Sequence, residues 1–161
     1  MRLGRRSLLV AAAALAGCGF ELRRPPQMAF TSIALVGFAP RSTLADELKK
    51  NLGKSVRLID KPAEAEVVLH VTADERSKSI VATTAAAQVR EYTLRLRFAF
   101  RADTPGGREL IAPAELLLSR DLSYIETAQL AKEQEEAELY REMQSDVVNQ
   151  VMRRLASIRL T

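Results

Sequence analysis

Between residues 90 and 101 the chain alternates: Tyr92, Leu94, Leu96, Phe98 and Phe100 fall on one side, Glu91, Thr93, Arg95, Arg97 and Arg101 on the other. A two-residue period with one apolar side predicts a strand with a buried and a wet face, as in an antiparallel sheet. Thr104-Pro105-Gly106-Gly107 then reads as a hairpin turn, and the chain returns through residues 114–124 with Leu116, Leu118 and Leu122 inward. Pro113 has no N–H to give a ladder, so the return strand starts after it or bulges there. Upstream, Val67, Leu69, Val71 and Ala73 alternate with Val68, His70, Thr72 and Asp74, and residues 78–89 are β-tolerant but weakly patterned. Residues 30–36 predict a first strand and 55–59 a short one.

Two segments change to a helical period. Leu44, Leu48 and Leu52 share a face, Thr43 with Asp46 resembles a capping box, and Gly53 supplies a stop. From Thr127, a candidate N-cap, to about Ile158, the stripe Tyr140, Met143, Val147, Val151, Leu155, Ile158 predicts one long helix. Its early glutamates and its closing Arg153 and Arg154 suit the helix dipole. A helix of roughly 30 residues spans about 45 Å, more than a small sheet needs, so part of it is expected to project or to meet a partner. The pattern as a whole predicts an α+β fold, a small sheet backed by helices.

The N-terminus reads differently. Arg2, Arg5 and Arg6 precede a short Leu/Val/Ala run from Ser7 to Leu15, too short for a bilayer-spanning helix of about 20 residues and of the length of an export signal. It ends Leu15-Ala16-Gly17-Cys18, which resembles a bacterial lipobox. Such a site needs a thiol, because sulfur takes the diacylglyceryl group, and small residues before it admit the peptidase. The expected organisation is a cleaved signal over residues 1–17, a lipidated tether over 18–28 containing Pro25-Pro26, and a single domain over 29–161. Arg5-Arg6 leaves twin-arginine export open beside the general secretory route. Cys18 is the only cysteine, so no intrachain disulfide forms, and lipidation accounts for it.

Charge changes the picture only slightly. Losing Arg2, Arg5 and Arg6 takes the formal net charge from +4 to +1, which calls for no nucleic-acid partner. No second apolar run is long enough to span a membrane, so the mature chain is expected to be anchored rather than inserted. No catalytic constellation emerges. His70 is the single histidine, without a second ligand for a metal, and Gly106-Gly107 lacks a phosphate-cradle context, so no cofactor is expected. The glutamates from Glu133 to Glu138 read as a solvated helix face. What remains is the row Arg95, Arg97, Arg101, which suits a phosphorylated lipid headgroup or simply keeps an exposed face soluble.

Cys18-Gly19-Phe20-Glu21-Leu22-Arg23 resembles the opening of the lipopolysaccharide-assembly lipoprotein family LptE, also called RlpB. Ser119-Arg120-Asp121-Leu122-Ser123-Tyr124, then Gln129-Leu130-Ala131-Lys132-Glu133, Glu135-Glu136, Met143 and Arg153-Arg154-Leu155, resemble that family's last strand and long helix. The resemblance implies two helices on one face of a small mixed, largely antiparallel sheet. It implies no enzymatic activity, but an outer-membrane lipoprotein that pairs one-to-one with the β-barrel LptD as plug and assembly factor and binds lipopolysaccharide. By the same implication Lys132 joins Arg95, Arg97, Arg101 and Arg120 as candidate lipopolysaccharide contacts. Gly19 after the cysteine, where Asp would retain the protein inside, is in keeping with the outer membrane. The competing readings are an auxiliary lipoprotein of another, ABC-type lipid-trafficking system and, third, an exported hydrolase.

Overall fold

A computed structural model describes residues 27–86 and 88–160. The signal segment, Cys18 and the Pro25-Pro26 stretch lie outside the described residues. The order is β1 (Ser32–Val36), α1 (Thr43–Leu52), β2 (Arg57–Leu58), β3 (Val67–Thr83), β4 (Val89–Asp103), β5 (Glu109–Ser123) and α2 (Gln129–Ala156), with 3-10 turns at Pro62–Glu64 and Glu126–Ala128. The five strands lie in the order β2-β1-β3-β4-β5. β1 runs parallel to β2 and β3, while β3, β4 and β5 are antiparallel, so the sheet is mixed as expected.

Both helices cover one face. Leu44, Leu48 and Leu52 of α1 and Met143, Val147, Val151 and Leu155 of α2 join Leu94, Leu96, Phe98 and Phe100 of β4 in one buried cluster. Every member of the long apolar stripe is buried, whereas α2 has no buried residue before Tyr140. The first three turns of α2 therefore extend beyond the core. α1 starts one residue earlier than a Thr43 cap would give: the N-cap is Ser42, whose hydroxyl accepts from the Ala45 N–H at 3.1 Å. α2 has no side-chain cap at all, its Ncap position being Ala128 rather than Thr127.

The weakly patterned stretch after residue 78 belongs to β3 itself, which runs for 17 residues into a turn that accepts Thr84 N–H at the Gln88 carbonyl. Pro113 falls in a bulge. Phe100 pairs with Ala114 and Ala102 with Ile111, so two residues of β5 oppose one of β4, and on an edge strand the missing N–H is harmless.

A second bulge overturns the alternation read in β3. Val71 pairs with Phe100 and Ala73 with Ala99, so Thr72 is the extra residue. Directly opposed residues share a face, so Ala73 turns to the open side with Ala99, while Asp74 turns toward the helices with Phe98. From there on the expected faces are exchanged: Asp74, Arg76 and Lys78 point to the helix layer, and Glu75, Ser77 and Ser79 to the open face.

Candidate functional site

The open face of β3, β4 and β5 carries the arginine row. Register sets its rows: Glu75 lies beside Arg97, Ser77 beside Arg95 and Ser119 beyond it, with Ser79 beside Thr93 and Asp121 beyond that. Arg97 bridges three strands, with Nη2 2.9 Å from Glu115 on β5 and Nη1 3.3 Å from Glu75 on β3. The hydrogen bonds to Glu115 and then Glu75 push its pKa above the ordinary guanidinium value. Arg101 donates to Asp103 at 2.5 Å, and the other oxygen of that carboxylate lies 3.0 Å from His70 Nε2. His70 is thus hydrogen-bonded on the polar side of its strand. Arg95 differs from its neighbours: its hydrogen-bond partner is the Ser79 hydroxyl at 3.3 Å, and serines flank it on both adjacent strands. Beside the row, the bulges of β3 and β5 meet over Ala99 and Arg101 and leave a dimple of about 230 Å³.

The other two candidates do not join this row. Arg120 pairs in register with Leu94, which puts it on the helix side, where its Nη2 lies 3.3 Å from Asp146 of α2. Lys132 lies in the first turn of α2, only 16% exposed, donating to the Ser123 hydroxyl at 3.0 Å and to Glu135 at 2.8 Å. Next to it, Lys78 reaches Glu136 at 2.6 Å and lies 4.1 Å above the Tyr92 ring, which meets Tyr124 edge-on. Burial opposes the Lys78 charge, but the Glu136 carboxylate outweighs it and raises the pKa. The structure therefore splits the five candidates between two faces: Arg95, Arg97 and Arg101 outside, Arg120 and Lys132 toward the helices.

A polar junction on the helix side escaped the sequence reading. Asp74 accepts from the Ser42 hydroxyl at 2.5 Å and so ties β3 to the cap of α1. Arg76 Nη2 donates to Thr43 Oγ1 at 2.9 Å and to Gln144 Oε1 at 2.7 Å, and its guanidinium lies 5.2 Å from the Tyr140 ring centroid. Gln144, 7% exposed, gives its amide to the Thr43 carbonyl and, at 2.6 Å, to Glu47. One signal was available: Gln144 stands inside the apolar stripe of α2, four residues after Tyr140 and three before Val147.

Among the described residues no cluster of three or more His, Cys, Asp or Glu side chains is arranged to hold a metal, and no helix is long and apolar enough to cross a membrane.

The profile of the family described as "LptE: Lipopolysaccharide-assembly" matches residues 30–155, which include every strand and nearly all of α2. Among solved structures the chain is similar to an uncharacterized lipoprotein B from Nitrosomonas europaea, with 27% identity, a TM-score of 0.72, and 86% of this chain and 91% of that one covered. It has the fold of rare lipoprotein B from Shewanella oneidensis (23% identity, TM-score 0.66, covering 79% and 95%). The same holds for a minor lipoprotein from Acinetobacter baumannii (22%, TM-score 0.64, covering 81% and 93%). No match was found among curated proteins.

Proposed function

The chain belongs to the lipopolysaccharide-assembly family LptE, and from that premise we propose that it is the lipoprotein partner of the outer-membrane barrel LptD. In this reading Cys18 carries the acyl chains that hold the protein at the outer membrane after export, and the folded part plugs the barrel while lipopolysaccharide passes to the outer leaflet. The observation that carries it is the family match over the whole sheet and the buried part of α2. The physics is compatible. A plug in a wet lumen needs a rigid core, polar outer faces and a tether that raises local concentration, and it needs no catalytic group. Several acyl chains on one cysteine anchor stably where one chain is marginal.

Lipopolysaccharide contact is assigned first to Arg95. Arg97, Arg101 and Arg120 already face carboxylates, and Lys132 is held by Glu135, whereas Arg95 has a hydroxyl partner and serines around it. A guanidinium in that setting offers its fork to a phosphate without first losing an ion pair.

The test is purification of the detergent-solubilised, tagged full chain from a Gram-negative envelope. LptD should co-purify in a one-to-one ratio, and Cys18→Ala should abolish acyl labelling and membrane retention. Reproducible absence of the barrel, or its replacement by components of an ABC transporter, would overturn the assignment. For the surface, Arg95→Glu should weaken lipopolysaccharide binding more than Arg97→Glu does.

A further inference from the structure

We propose that the cleft above Arg76, on the helix side of the sheet, is a second anion site that takes a phosphorylated or carboxylated sugar. The cleft holds about 690 Å³ between β3, the start of α1 and the middle of α2, a volume in the range of small-molecule sites. Arg76 and Arg141 line it, together with Thr43, Gln144, Glu133 and Glu136.

Three features single out Arg76. Its position is fixed by two short hydrogen bonds through one nitrogen, Nη2, and by the Tyr140 ring beneath it, so little rotamer freedom is left to lose on binding. Both partners are neutral, a hydroxyl and an amide carbonyl, so the guanidinium keeps its positive charge uncompensated by direct contact. The groups that orient it are themselves oriented: Gln144 is buried and spends its amide on Glu47 and the Thr43 carbonyl. An apolar residue at position 144 would pack α1 against α2 without a desolvation cost, and the buried amide instead presents its oxygen to Arg76. The acidic residues of the cleft do not cancel this. Glu136 is matched by Lys78 at 2.6 Å, and Glu133, whose partner is the neutral Gln129 amide at 3.0 Å, keeps its charge on the exposed rim, where solvent screens it.

The bound group is therefore an anion on a polar scaffold, its charge on Arg76 and its hydroxyls against Thr43. The choice of a sugar as carrier rests on the lipopolysaccharide reading above; the anion chemistry does not. Glucosamine 6-phosphate, glucosamine and inorganic phosphate serve as probes, titrated into the full chain in detergent while amide NMR shifts are followed. The sugar phosphate should move Thr43, Arg76 and Gln144, whether or not Arg95 on the other face also responds; phosphate alone should bind in the cleft more weakly and glucosamine not at all. Arg76→Gln should weaken the sugar phosphate about tenfold or more, the scale of a charge-assisted hydrogen-bond pair. Arg76→Lys should recover only part of it, and Glu133→Gln, which removes a repelling charge without touching the junction, should tighten binding about threefold.

Equal binding of all three probes, absence of shifts at the cleft, or a Glu133→Gln variant that binds no better would overturn the proposal, even if Arg76→Gln fails to fold. Loss of LptD co-purification with the cleft titration intact would instead sink the function and leave this site standing.

Discussion

The ladder Glu75–Arg97–Glu115 offers a way to add a cation to the open face without adding a residue. Glu75→Gln with Glu115→Gln removes both carboxylates from Arg97 and leaves the guanidinium with amide neighbours of almost the same shape. All three side chains are substantially exposed, at 62%, 43% and 48%. Ion pairs so exposed are largely screened by solvent, and the double variant should lose no more than a few degrees in Tm. Against that modest cost, the net charge of the face rises by two. A phosphate about 6 Å from each lost carboxylate is relieved of roughly 0.7 kcal/mol of repulsion per carboxylate even at the dielectric of water.

Lipopolysaccharide affinity should therefore rise about three- to tenfold at low salt, and the gain should shrink as ionic strength approaches 0.15 M, where the Debye length is about 8 Å. The assay is binding of fluorescent lipopolysaccharide to wild type and double variant at two salt concentrations, with thermal unfolding run alongside. A folded double variant whose affinity is unchanged or lower at low salt would refute the headgroup reading. The arginine row would then be a solvated face whose carboxylates serve only to balance it.

Three further outcomes test the fold. Gly37 has φ +90° and a Cβ built on it would lie 2.1 Å from the Val71 carbonyl oxygen, so Gly37→Ala should cost at least about 2–3 kcal/mol in urea unfolding; a loss under 1 kcal/mol would contradict the close β1–β3 approach. Phe98, fully buried between the layers, should cost about 3–5 kcal/mol as Phe98→Ala by the same measurement. The Thr31 N–H, donating at 2.7 Å, and then the Thr31 hydroxyl hold the Glu66 carboxyl below its ordinary 4.5, a depressed folded pKa whose stabilisation is present above that value and lost as pH falls through the folded one. Glu66→Gln should thus be less stable than wild type at pH 7, by about 0.5 kcal/mol for so exposed a group, and the gap should close below pH 4; a gap independent of pH would rule out the carboxylate as its source.

The sheet from residue 90 onward and both helices were legible because burial there follows one uninterrupted period. Phe98 and Leu96 are buried at alternate positions, and Met143, Val147 and Val151 at helical ones. The Pro113 bulge was legible too, since a missing donor leaves few options. The Thr72 bulge was not. Threonine is a good strand former, and nothing in Val71-Thr72-Ala73 marks the extra residue, whose presence is decided by pairing with β4 residues almost thirty positions away in sequence. Its consequence reached the candidate site: Asp74, Arg76 and Lys78 face the helices, so the junction around Gln144 could not be assembled from the alternation alone. Arg120 shows a different limit. The period that turns Leu118 and Leu122 inward turns Arg120 inward too, but its partner Asp146 on α2 becomes visible only once the helix is packed on the sheet.

Why β3 bulges at Thr72 can be argued from what each register would put under the helices. Without the extra residue, the helix face after residue 71 would present Ala73, Glu75, Ser77 and Ser79, short or acidic side chains with little to lay over Leu94 and Leu96. With it, the same face presents Arg76 and Lys78 opposite Leu96 and Leu94, and Ile80 opposite Tyr92. Long side chains cover apolar surface with their methylene stems while their charged ends reach outward, and here the ends find Thr43, Gln144 and Glu136 on the helices. The bulge thus exchanges a row of small polar residues for amphipathic ones that both finish the core and bring cations to the helix ends. The other face receives the serines, which is why Arg95 stands among hydroxyls rather than carboxylates. One inserted residue therefore sets the chemistry of both faces: a guanidinium available outside at Arg95, and another held ready inside at Arg76.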